Sequence, residues 1–197
     1  MRARIALCVA GIEVELREVS LKAKPDAMLA ASPKGTVPVL VLPDGSEIDE
    51  SLDIMRWALR RNDPENWLAR DVEGLIATND EPFKHHLDRA KYPHRYPGVD
   101  AEVHWAAGLT LLATLEARLA QTAFLCGPRM SLADGAILPF VRQFARIDLD
   151  RFRAEGLPHL LRWLTDWEAS EAFAAIMVKV PLWMEGNRQQ IFPCAPV

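Results

Sequence analysis

The sequence predicts a chain in two parts, an α/β part over residues 1–63 and an all-α part over 64–197. Three observations carry this. A β-branched run with a tight turn sits among short helical stretches near the start, Asn62-Asp-Pro64 breaks the chain, and helical periodicity alone follows it. At 197 residues with half of them apolar and a quarter charged, the composition is that of an ordinary folded protein.

The first element is an amphipathic helix in Met1-Arg-Ala-Arg-Ile-Ala-Leu-Cys-Val-Ala-Gly-Ile12, where Ile5, Cys8, Val9 and Ile12 fall at helical spacing. Two arginines before a short apolar run imitate a secretory signal, but Glu13 and Glu15 follow at once and there is no small-residue cleavage site. Val14-Glu-Leu-Arg-Glu-Val19 alternates apolar and charged residues as a half-buried strand does. Residues 26–31 read as a short helix closed by Ser32-Pro-Lys-Gly35. Val37-Pro-Val-Leu-Val-Leu42, the turn Pro43-Asp-Gly-Ser46 and Glu47-Ile-Asp49 make a β-hairpin. A helix over 50–61 carries Ile54, Met55, Ala58 and Leu59 on its apolar face.

Beyond residue 64 the helical patterns cover about 68–91, 99–120, 132–146, 157–168 and 170–178, and nothing there reads as a strand. Leu109, Leu112, Leu115 and Leu119 form one core stripe, and Ile137, Phe140, Val141 and Phe144 another. Ser131-Leu-Ala-Asp134 is a capping-box variant with a structural role.

A net charge of -4 without a basic stripe argues against nucleic acid and anionic membrane as partners. Cys8, Cys126 and Cys194 are odd in number and far apart, which excludes a disulfide framework and a CxxC pair and suits a reducing, cytoplasmic setting. His85 and His86, adjacent on a helix, point about 100° apart and read as surface residues, so no metal is expected.

Thr36-Val-Pro-Val-Leu40, Glu50-Ser51 and Ser131-Leu-Ala-Asp134, in that order, resemble the cis-proline motif, the γ-glutamyl motif and the helical-domain capping box of glutathione transferases. The resemblance implies a thioredoxin-like first domain and a helical-bundle second domain. Met1-Arg-Ala-Arg-Ile-Ala-Leu7 is similar to the continuation of the Cys-Pro-Tyr-Ala motif of omega-like, cysteine-type members. Pro82-Phe-Lys-His85 and Leu87-Asp-Arg-Ala-Lys-Tyr-Pro93 resemble a bacterial branch. Against that family the chain is expected to be truncated, lacking the first, central strand and the catalytic cysteine.

The resemblance further implies glutathione as ligand or substrate. A cis Pro38 turns the backbone of Val37 outward to pair with the cysteinyl backbone of glutathione. Ser51, at the start of a helix, receives the γ-glutamyl carboxylate with help from the helix dipole, while Glu50 meets the ammonium. Without a ligand, Ser51 is a plain first-turn or capping serine. Lys24 pairs with the glycyl carboxylate, with Lys34 as a second candidate, although a loop lysine in isolation is only a solvated charge. Tyr92 and Tyr96, in Tyr92-Pro-His-Arg-Tyr-Pro97, are candidates for the wall of the second substrate's site.

No catalytic residue is assigned. Cys8 lies two turns into the first helix and reads as a small buried hydrophobe. The expected activity of a full-length form is conjugation of glutathione to electrophiles or exchange with disulfides, in a homodimer. The other expectation is a non-catalytic binding or scaffold protein.

Overall fold

The structure, a computed structural model, describes residues 1–70 and 73–193. In chain order the elements are α1 (Arg2–Val9), β1 (Val14–Glu15), α2 (Asp26–Ala31), β2 (Leu40–Val41), β3 (Glu47–Ile48), α3 (Ser51–Arg61), α4 (Glu73–Thr78), α5 (Lys84–Lys91), α6 (Ala101–Leu119), α7 (Leu132–Ala145), α8 (Leu149–Ala154), α9 (Pro158–Glu168), α10 (Glu171–Ile176) and β4 (Ile191–Phe192). Helix, strand, short helix, hairpin and helix therefore follow one another as the sequence predicts. The chain divides into two compact units, one formed by Met1–Pro64 with residues from Ser170 onward, the other by Glu65–Ala169.

In the first unit α1 packs on α3. The predicted face of α3 is correct, with Ile54, Met55, Ala58 and Leu59 all buried. That of α1 is not: the buried residues are Ala3, Ile5, Ala6, Leu7 and Ala10, while Cys8 and Val9 are only half-buried. Three small alanines at i, i+3 and i+7 lie on the buried face, and a pattern drawn from large apolar residues alone passes over them. The hairpin pairs Leu40 with Ile48 and Val41 with Glu47. At its turn Gly45 adopts φ +84°, and the Asp44 carboxylate accepts from the Ser46 N–H at 2.9 Å.

β4 has no counterpart in the sequence reading. It pairs antiparallel with β1, Val14 opposite Phe192 and Glu15 opposite Ile191. Before it, Leu16 N donates to Gln190 O at 2.6 Å and Trp183 N to Glu18 O at 2.7 Å. The tail thus hydrogen-bonds along β1 although a two-residue strand has too short a period to be read from sequence.

The second unit is helical. A single predicted helix over 68–91 resolves into a 3₁₀ turn at Trp67–Ala69, then α4, a π-helical turn at Asn79–Phe83 and α5. Pro82 lies inside the π turn and brings no N–H to the ladder, which the wider turn accommodates. Asp71 and Val72, within that predicted helix, lie outside the described residues.

The buried stripe of α6 is Trp105, Gly108, Leu112, Leu115 and Leu119; Leu109 is only half-buried. Gly108 lets the Phe144 ring of α7 lie against the α6 backbone, and Phe144 stacks on Trp105 with centroids 4.5 Å apart and planes at 19°. On α7, Ile137, Val141 and Phe144 are buried as predicted, and Phe140 is half-buried.

The capping box forms as predicted. Asp134, fully buried, accepts from Ser131 N at 3.0 Å, from the Ser131 hydroxyl, from Leu125 N at 2.9 Å and from Trp163 Nε1 at 2.9 Å. Burial holds its carboxyl above the ordinary range, and the four donors pull the other way. One carboxylate thereby ties the start of α7 to the preceding loop and to α9. Among the described residues no helix is long and apolar enough to cross a membrane.

Candidate functional site

The residues predicted to meet glutathione all lie in the first unit, on loops that its short elements hold in place. Gly35, at φ +61°, closes the turn after α2, and the space its Cβ would occupy is 2.8 Å from Lys24 Nζ. The Lys24 side chain, exposed along its length, therefore crosses directly over Gly35. Next to Gly35, Lys34 pairs with Asp49 at 2.7 Å and reaches Glu50 at 3.8 Å. Its ammonium is raised above its usual range by the Asp49 hydrogen bond, and the Asp49 carboxyl is correspondingly lowered. Of the two lysine candidates, Lys24 is the one without such a carboxylate partner among the described residues.

Glu50 is the N-cap residue of α3, in extended conformation, with its carbonyl accepting from Ile54 N at 3.0 Å and no side-chain cap. Ser51 is the first helical residue and is half-buried. The first-turn N–H groups of α3 have no intrahelical partners, so this end of an 11-residue helix presents donors and a positive dipole end.

The Val37–Pro38 peptide bond is cis. Val37 is 48% exposed, and among the described residues its N–H and C=O form no hydrogen bond. Two contacts are made among these segments, Lys24 over Gly35 and Lys34 against Asp49 and Glu50. Among the described residues these segments offer one cation without a carboxylate partner, Lys24, one carboxylate shared with Lys34, Glu50, the Ser51 hydroxyl, and the unpaired backbone of Val37.

Two open grooves border this unit without containing those six residues. One is lined by Ile48 and by Asp53, Arg56, Trp57, Arg60 and Arg61 of α3, where the Arg61 guanidinium lies 4.1 Å from the Trp57 ring centre. The other runs between the β1 region and the tail, past Arg17, Pro25 and Trp183.

Tyr92 and Tyr96 belong to the second unit, at the end of α5 and the 3₁₀ turn after it. Their ring faces are already covered by cations of the same segment: Arg95 lies 4.2 Å and Lys91 4.9 Å from the Tyr92 centre, and Arg89 lies 4.4 Å from that of Tyr96. Lys91 also draws the Tyr92 hydroxyl below its usual pKa by a hydrogen bond.

Cys8 faces neither the start of α1 nor the full interior; it is half-buried, as is Cys126. Burial pushes the Cys126 thiol up, opposed by the Ser131 hydroxyl. Cys194 lies outside the described residues. His85 and His86, expected to point apart as surface residues, instead converge with His104 of α6, their donor atoms within 4.8 Å of one another. Nothing in the spacing of 85, 86 and 104 signals this, because the α5–α6 hairpin creates it.

The glutathione S-transferase N-terminal domain model matches residues 1–67, and the glutathione S-transferase C-terminal domain model matches residues 65–166. No curated protein is a significant match to the sequence. Among solved structures, the chain is similar to BphK, a bacterial glutathione S-transferase seen in a ternary complex, with TM-score 0.74 and 20% identity over 89% of this chain and 92% of that one. A class Gtt2 glutathione S-transferase of Vibrio parahaemolyticus gives TM-score 0.71 and 23% identity, covering 89% and 91%. Glutathione S-transferase-I bound with lactoylglutathione gives 0.71 and 21%, also covering 89% and 91%. These likenesses show the fold, a thioredoxin-like domain with a small sheet and a helical domain. With the two family models meeting near residue 65, the chain belongs to the glutathione S-transferase family.

Proposed function

We propose that this chain binds glutathione through residues 1–63, and that it is an omega-like, cysteine-type member of its family. The observation that carries the reading is the cis Val37–Pro38 bond, with an exposed Val37 backbone unpaired among the described residues, inside the part matched by the N-terminal domain model; Lys24 over Gly35 and the Glu50-Ser51 start of α3 support it. Lys24 takes the glycyl carboxylate, Val37 the cysteinyl backbone, Ser51 and the α3 N–H groups the γ-glutamyl carboxylate, and Glu50 the ammonium. The activity such a site serves is conjugation of glutathione to electrophiles or exchange of thiols with disulfides, in a cytoplasmic homodimer.

A second reading is non-catalytic binding. It is favoured by the half-buried position of Cys8 on α1 and by the raised pKa of Cys126, since a nucleophilic thiol needs the opposite shift.

Titration calorimetry with glutathione tests the site. Substitutions Lys24→Ala and Ser51→Ala are each expected to weaken binding by about tenfold, the scale of one charge-assisted hydrogen bond. Glutathione at 100 times its Kd is expected to stabilise the protein by about 2.7 kcal/mol. Absence of binding up to millimolar glutathione would remove the proposed site.

A further inference from the structure

The α5–α6 hairpin of the second unit assembles a group that the glutathione site does not use. His85 and His86 open α5, and His104 sits in the first turn of α6. His86 Nδ1 and His104 Nδ1 lie 2.8 Å apart, so one ring carries its proton on Nδ1 and donates to the other. The three ring centres form a nearly regular triangle of 5.0, 5.1 and 5.6 Å. Three imidazoles bound tetrahedrally at about 2.0–2.1 Å from one zinc ion place their ring centres about 5.2 Å apart, and their donor nitrogens about 3.3 Å apart. The rings therefore already have the spacing of a three-histidine site. What remains is to open the 2.8 Å pair by about half an ångström and bring the third donor to the same spacing, all three now lying within 4.8 Å of one another.

We propose that His85, His86 and His104 bind one borderline divalent cation, Zn²⁺ first among them. Imidazole nitrogens suit this class of metal, and neutral rings are required for it. The proton between His86 and His104 moves to an Nε2 when both Nδ1 atoms turn to the metal, so the neutral pair loses no proton. His86 and His104 are half-buried and His85 is exposed, which leaves a fourth position for water.

Two cations lie nearby. Lys84 is paired with Asp88 at 2.6 Å, while Arg89, held over Tyr96 and donating to His85 O at 3.3 Å, opposes a dication. The Asp100 carboxylate acts on His104 in the opposite sense. Cation binding of this kind is independent of the glutathione site, whose residues lie in the other unit.

The test is calorimetric titration of Zn²⁺ into the full chain, without an affinity tag, stripped of metal and in thiol-free buffer, with Co²⁺ absorbance as a second readout. One Zn²⁺ per chain is expected, with a visible Co²⁺ band of tetrahedral intensity. His86→Gln and His104→Gln are each expected to weaken binding by about tenfold or more. His85→Gln, on an exposed ring, is expected to do the same while leaving the metal-free melting temperature unchanged. The proposal is overturned if the wild-type chain takes up no stoichiometric Zn²⁺. It is equally overturned if His85→Gln binds as tightly as wild type, which would place the metal on thiols or scattered carboxylates.

Discussion

Replacing Asp134 by alanine removes the one acceptor on which three buried N–H groups converge. Leu125 N, Ser131 N and Trp163 Nε1 lie 2.9, 3.0 and 2.9 Å from its oxygens, and neither Ser131 nor Asp134 has any exposed surface. A buried donor left without a partner costs about 1–3 kcal/mol, and the three share one cavity, so their sum is less than additive. We expect Asp134→Ala to lower the unfolding free energy by about 3–5 kcal/mol, against about 5–15 kcal/mol for a typical native protein. Asp134→Asn keeps one acceptor oxygen but turns an amide NH₂ toward donors, and should cost about half as much. Trp163→Phe removes one donor along with the need for it, and should fall lowest in polar cost. Urea unfolding followed by tryptophan fluorescence and circular dichroism measures all three. An Asp134→Ala variant within 1 kcal/mol of wild type would refute the reasoning, because it would mean that water or repacking satisfies these groups at little cost.

Two more predictions concern the same unit. A Cβ at Gly108 would lie 2.6 and 2.9 Å from two atoms of the Phe144 ring, which stacks on Trp105, so Gly108→Ala should destabilise by about 1–3 kcal/mol despite its better helix propensity, as thermal unfolding would show. Burial raises the Cys126 pKa, so at pH 8 its alkylation by iodoacetamide should be slower than that of free cysteine and should keep accelerating above pH 9. The linked stability is complete below the unfolded thiol pKa, near 8.5, and declines as pH rises through the higher folded value; site-resolved mass spectrometry with and without denaturant reads the difference.

The elements that sequence patterns reveal are those whose signal is local. The α3 stripe repeats at 3.6 residues, the Pro43-Asp-Gly-Ser46 turn needs a glycine at positive φ, and the capping box is four residues long. What escapes is set by partners distant in sequence. β4 is two residues long and owes its existence to β1. The inner face of α1 is lined by alanines, which declare themselves only when α3 arrives. The π turn at Asn79–Phe83 interrupts a pattern that is periodic on both sides of it.

The candidate site divides in the same way. The cis Val37–Pro38 bond and the Ser51 helix start follow from motifs, but the competition of Asp49 and Glu50 for Lys34 depends on a loop and a strand end meeting. The covering of Tyr92 and Tyr96 by arginine and lysine is equally invisible in a string of letters. His104 carries no motif in sequence, being one histidine near the start of a long helix.

The pairing of β1 with β4 makes the first unit a clasp whose two halves are synthesised before and after the helical unit. Every residue of the helical unit leaves the ribosome between them. That unit, rich in contacts between neighbouring helices, can mature while Val14 and Glu15 still wait for Phe192 and Ile191, and the entropy of closing so long a loop falls on the final step. Until then a strand edge on the nascent chain stands open to other chains, so β4 also acts as its guard.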